Sequence, residues 1–201
     1  MNGKNDPQEE RSKIYYLAIE IIFSVIIGVS FYNYIEVLVP FSFTFEEALI
    51  LVTYATVLAS LVGYSITITT KKYHKNFYRF IIDVVILYFY FQLLYSPLQS
   101  FDYFLAMYPW IFGLYVFWEF LASKEWKESF RKKVKFSGSI FASFLAIWII
   151  YQFVPNKIQV ISQEISKLEY GEADSLSWIF LLAIFVLVIL YRFCYWKFVE
   201  K

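Results

Sequence analysis

The sequence predicts an all-α, polytopic transmembrane helical bundle with six spans and both termini in the cytoplasm. Three observations carry this. Hydrophobic types make up 60% of the 201 residues and charged types 17%, with a mean hydropathy of +0.54; soluble domains run at roughly 45–50% and 25%. Six apolar stretches each reach the length of about 17–25 residues that a membrane crossing needs. Lysine and arginine alternate sharply between the segments that join those stretches. A soluble chain of this size could not hide so much apolar surface.

The first span runs from about 14 to 34 and is interrupted only by Glu20. It is too long for the apolar region of a cleavable signal, and no small-residue cleavage site follows it. Residues 1–13 read as a polar, frayed cytoplasmic tail. The second span, 48–70, carries no charge, and Thr44 with Glu47 forms a capping-box pattern at its start. The third, 80–96, contains Asp83 and is the shortest. Together with the fourth it could instead form a tight hairpin around Ser96-Pro97-Leu98-Gln99-Ser100. The fourth, 103–122, contains Glu119 and Pro109, and the proline should kink it because it removes one backbone donor. The fifth, 136–154, is uncharged and should stop at Pro155. The sixth, 176–196, contains Arg192, and Asp174 or Ser175 can cap it. One six-helix domain, 14–196, therefore accounts for the chain, with a cytoplasmic tail at 197–201.

Positive charge marks the cytoplasmic side. The N-terminal tail holds Lys4, Arg11 and Lys13; the loop between spans two and three holds Lys71, Lys72, Lys75 and Arg79. The loop between spans four and five holds Lys124, Lys127, Arg131, Lys132, Lys133 and Lys135; the C-terminal end holds Arg192, Lys197 and Lys201. Sixteen of the 18 basic residues thus fall on one face, leaving Lys157 and Lys167 on the other. That other face is acidic, with Glu36, Glu46, Glu47, Asp102, Glu164, Glu169, Glu172 and Asp174. It reads either as the residue of topology or as a vestibule that concentrates cations. A bacterial cytoplasmic (inner) membrane is the expected location.

Small residues recur at every fourth position in two spans: Ala55, Ala59 and Gly63 in the second, and Gly138, Ala142 and Ala146 in the fifth. Such stripes allow close helix packing in lipid and suit a homo-oligomer. They also hint at an inverted repeat of two three-helix halves, although glycine and proline breaks at matched positions are missing.

Ionisable residues within spans are candidates for function, because their insertion costs about 2.5–3.5 kcal/mol each. Glu20, Asp83, Glu119, Arg79 and Arg192 all fall in the cytoplasmic third. Arg79 and Asp83 stand one turn apart on one face with Tyr90; Glu119 shares its face with Tyr115, Phe112 and Tyr108; Glu20 shares its face with Ser24, Ile27 and Phe31. If these faces converge, they form a charged layer with Tyr90 and Tyr115 hydroxyls above it. The layer reads as a structural ion-pair shell that fixes helix rotation, as a proton- or ion-handling site, or, least readily, as a catalytic carboxylate pair.

A single histidine (His74, in a basic loop) and a single cysteine (Cys194) leave no disulfide framework and no clustered metal ligands. No cofactor or metal is expected, and no catalytic residues are assigned. Residues 156–170 repeat Ile158, Ile161, Ile165 and Leu168 on one helical stripe, an extracytoplasmic amphipathic helix that packs on the bundle or on its own copy. The segment 123–135 offers Arg131, Lys132, Lys133 and Lys135 to lipid headgroups or to a cytoplasmic protein partner. Nucleic acid is disfavoured, because no basic domain or aromatic-basic module is present.

Three functions follow as expectations. The first is a small oligomeric channel- or transporter-like protein that passes ions or small solutes. The second is a non-catalytic accessory or effector subunit governed by a cytoplasmic partner, for example in a prokaryotic stress or defence system. The third is an intramembrane lipid-modifying enzyme.

Overall fold

A chain in hydrocarbon must satisfy its backbone polar groups internally, so each crossing becomes a helix. The computed structural model describes residues 7–70, 77–126, 130–153 and 175–195. It is all-helical. The six helices are α1 (Pro7–Leu38), α2 (Phe45–Thr70), α3 (Phe77–Tyr95), α4 (Phe101–Trp126), α5 (Phe130–Gln152) and α6 (Ser175–Cys194). All six are long and apolar enough to cross a membrane. The segment 156–170, His74, Asp174 and Pro155 lie outside the described residues.

Local chemistry explains several helix ends. The capping box forms as read: the Thr44 N–H donates to Glu47 Oε2 at 2.7 Å, and the Glu47 N–H donates to Thr44 Oγ1 at 3.2 Å. Glu47 also accepts from the N–H and hydroxyl of Ser42, so this buried carboxylate ties down the α1–α2 connection. The third and fourth spans are both full helices, joined by a 3₁₀ turn at Ser96–Leu98. Ser100 caps α4 through a 3.1 Å bond from the Tyr103 N–H to its hydroxyl. Helix α4 continues through Pro109 without a break.

Two boundaries differ from the sequence reading. α1 reaches back to Pro7, and its first turn begins on a residue whose missing N–H costs a helix nothing there. The basic segment 123–135 is mostly helical, with α4 running to Trp126 and α5 starting at Phe130. Lys, Glu and Arg are good helix formers, so these helices outrun their apolar stretches.

The helices pack as an up-and-down bundle. α4 packs most extensively on α5 and then on α3; α1 lies against α2 and α3, and α6 lies against α2 and α5. Buried contacts separate two ends. At the acidic end, Tyr34 donates to the Leu94 carbonyl at 2.6 Å, and Gln152 donates to Asp102 at 2.5 Å. Beneath these bonds the core is aromatic. Phe45 meets Phe101 edge-on at 5.2 Å, Phe101 stacks on Phe104 at 5.8 Å, and Phe104 meets Tyr108 at 5.1 Å. Phe144 stacks on Tyr108 at 5.2 Å and on Phe112 at 4.3 Å. Such offset and edge-on pairs each add about 0.5–1.5 kcal/mol beyond the area they cover. The basic end is built differently.

Candidate functional site

At the basic end the helices line a cavity of about 30 Å³, room for about two water molecules. Its wall takes Asp83 from α3, Tyr115, Trp118 and Glu119 from α4, and Tyr191 and Arg192 from α6, closed by Gly63 and Tyr64 of α2. Asp83 and Glu119 are buried, with 5% and 2% of their surface exposed. Both are therefore withdrawn from bulk water and held by hydroxyls: Tyr64 donates to Asp83 Oδ2 at 3.4 Å, and Tyr195 donates to Glu119 Oε1.

The two arginines rest on aromatic faces. The Arg79 guanidinium, fully buried, lies 4.4 Å from the Trp118 ring centroid. Arg192 lies 5.2 Å from the Tyr191 ring and 5.7 Å from that of Tyr115. Cation–π contact of this kind grows stronger as water is removed. Arg192 also donates to Ser60 at 2.6 Å and to Tyr115 at 3.5 Å. Its guanidinium fills the space where a Cβ on Gly63 would stand. Gly63 therefore makes the seat for Arg192, a role beyond the close helix approach expected of a small-residue stripe.

Above the cavity a hydroxyl cluster begins. Tyr90 donates to Ser60 and shares a 2.9 Å bond with Tyr115. One layer further in, Thr56 and Tyr108 share a 3.1 Å bond. Glu20 stands to one side: it accepts from Tyr16, and from Ser65 at 3.5 Å, and Tyr16 stacks on Tyr64 at 6.0 Å. Glu20 is thus linked to the cavity through Tyr64.

Asp83, Glu119, Arg192 and Tyr115 therefore surround one cavity, Tyr90 adjoins it through its bond to Tyr115, and Arg79 packs on its wall through Trp118. Sequence reasoning did not single out Tyr64, Trp118, Tyr195 or Ser60. The signal present was helical spacing: Ser60 lies one turn before Gly63 and Tyr64, Trp118 one turn after Tyr115, and Tyr195 one turn after Arg192.

The remaining candidates lie elsewhere. Ala55 and Ala59 are half-buried on α2. On α5, a Cβ at Gly138 would meet nothing within 4 Å, and Ala142 and Ala146 are exposed, so within one chain this stripe faces outward. Lys132 and Lys135 are exposed, whereas Lys133 is buried; the Arg131 side chain lies outside the described residues. Cys194 is half-buried. Among the described residues, no group of three or more His, Cys, Asp or Glu side chains is arranged to hold a metal ion.

Comparison with protein-family models, with curated proteins and with solved structures found no match to this chain.

Proposed function

We propose that the protein is a multi-pass membrane transport protein for ions or small solutes, working as a carrier with a site reached from its basic end. The observation that carries this reading is the cavity between Asp83, Glu119 and Arg192. Burying three charged groups in lipid is costly, and such groups in membrane proteins commonly mark ion or proton pathways. The aromatic layer of Phe101, Phe104, Tyr108, Phe112 and Phe144 supports a carrier over a standing pore, because these rings stack where a pore would need water.

The basic end faces the cytoplasm in this reading, with both termini there, in a bacterial cytoplasmic membrane. The outward-facing Gly138, Ala142 and Ala146 supply a contact surface for a homo-oligomer. No cofactor is invoked.

Reconstitution into liposomes tests the proposal. Fluxes of protons, sodium, potassium and chloride are followed across the vesicle wall. At least one should exceed protein-free vesicles and fall at least tenfold in the combined Asp83→Asn, Glu119→Gln variant. Flux that is unchanged in that variant, or no flux at all, overturns the reading.

A second reading draws on the aromatic seal itself. A bundle closed in its middle suits a non-catalytic subunit that answers to a cytoplasmic protein at the basic segment 123–135. Exposed Lys132 and Lys135 would supply the contact. Replacing Arg131, Lys132 and Lys135 with Gln should then abolish capture of that protein, and retained capture would dismiss the reading.

A further inference from the structure

We infer that the species handled is the proton, and that it travels along a buried polar stripe on α2. This rests on the transport reading and names its cargo.

Three observations converge. The first is the stripe. Glu46, Thr53, Thr56, Ser60 and Tyr64 fall on one side of α2, and the 18 residue steps from first to last rise about 27 Å. That nearly matches the hydrocarbon thickness of about 30 Å. Thr53, Thr56 and Ser60 are 1%, 1% and 3% exposed, so the stripe faces the bundle interior and not lipid.

The second is chemical continuity. At the basic end Tyr64 contacts Asp83. One turn on, Ser60 is joined to Tyr90 and Arg192, and Tyr90 in turn to Tyr115. The next turn holds Thr56 with Tyr108. Thr53 follows, with its hydroxyl on the Leu49 carbonyl. At the acidic end Glu46 Oε1 is buried, with no hydrogen-bond partner among the described residues.

The third is room. The cavity holds about two waters, and beyond it the rings close up. A metal ion or an organic solute needs volume at every step. A proton needs only oxygens that can both accept and donate; successive rungs from Tyr64 to Thr53 rise about 4.5–6 Å along the helix axis, a step that hydroxyl rotation and a transient single water can cover. The step from Thr53 to Glu46 spans two turns and draws on water from the acidic end.

The transfer is balanced at each rung. An incoming proton binds a lone pair on the oxygen, and the bond to the proton already there breaks, sending that proton onward. Rotation of the hydroxyl restores the starting state. No electrons move, and one positive charge crosses per event, driven by the membrane gradient. Asp83 and Glu119 act as the exchange groups at the basic end. The charged groups around them are Glu20 on α1, Arg79 on α3 and Arg192 on α6.

The test uses the full chain in liposomes loaded with a pH-sensitive dye. A potassium gradient and valinomycin set the voltage. The wild type should acidify the interior faster than protein-free vesicles. Thr56→Val keeps the shape and loses the hydroxyl, and should slow acidification at least tenfold. Thr56→Ser keeps the hydroxyl and loses a methyl, and should retain at least half the rate. Tyr90→Phe removes one oxygen only and should also slow acidification at least tenfold, which covers the case of a misfolded Thr56→Val. The inference is overturned if the wild type shows no proton flux, if Tyr90→Phe matches the wild type, or if Thr56→Ser falls as far as Thr56→Val. Sodium, potassium or chloride flux without proton flux removes this inference and leaves the transport reading standing. If no ion moves at all, both fall.

Discussion

The two ends of this bundle solve the same packing problem with opposite materials. At the basic end, charged and hydroxyl groups from four helices close around a cavity, and aromatic rings serve as seats for guanidinium groups. At the acidic end, rings pack on rings, and two polar side chains fasten helix ends: Glu47 to Thr44 and Ser42, Gln152 to Asp102. In water, apolar character alone would mark the interior. In lipid both inside and outside are apolar, so close packing and polar contacts decide which faces meet. The contrast teaches that polarity is concentrated where the chain needs chemistry, and shape where it needs a seal.

The largest effect should come from breaking the seal. Phe144 is fully buried between Phe112 and Tyr108. Phe144→Ala should cost about 3–5 kcal/mol, read from reversible unfolding in mixed micelles. A cost below about 1 kcal/mol would mean that the rings do not form a tight layer.

Next is the seat for Arg192. In Gly63→Leu the new side chain competes with the guanidinium for one space. The expected cost is about 1–3 kcal/mol. Truncation by Arg192→Ala in the same chain should recover part of it, because the two positions share that space. Strict additivity of the two changes would contradict the contact.

A smaller effect sharpens the acidic end. Glu47→Ala removes the carboxylate arm of the capping box and the Ser42 contacts, and leaves the backbone N–H at 47 on Thr44 Oγ1. The helix cap alone predicts a loss of about 0.5–2 kcal/mol. Glu47→Gln should recover part of this, since its amide oxygen can still accept. No difference between the two variants would show that the hydrogen bonds are not what matters.

Smallest of all is Ala142→Leu. The residue is exposed, so monomer stability in detergent should change by less than about 0.5 kcal/mol. Size measured by light scattering should nevertheless fall to that of a monomer if this face joins two copies. An unchanged assembly would assign the face to lipid.

The helices were legible because each crossing needs about 20 apolar residues and little else. The start of α2 could be read from Thr44 and Glu47 because a capping box is local. The extent of α4 and α5 into 123–135 was not, since lysine-rich segments look like loops by charge and like helices by propensity. For the site, Asp83, Glu119 and Arg192 stood out as charges in lipid. Tyr64, Tyr195 and Trp118 did not, because aromatics near span ends are expected there whether or not they line a cavity. Helix rotation also hid them: a span that is apolar on every side does not announce its inner face, and only α2, with Thr53, Thr56 and Ser60, marked its own. The outward turn of Gly138 and Ala146 was unreadable for the same reason.

The cavity lined by Asp83 and Glu119 should be open to one side of the membrane and sealed from the other. On a Cys194→Ser background, Tyr64→Cys and Phe101→Cys are made separately, and each is exposed in sealed vesicles of known orientation to a membrane-impermeant thiol reagent, first from one side and then from the other. The account predicts labelling of Tyr64→Cys from the lysine-rich side alone, and none of Phe101→Cys from either side. Labelling of Tyr64→Cys from the acidic side, or of Phe101→Cys from the lysine-rich side, would contradict it.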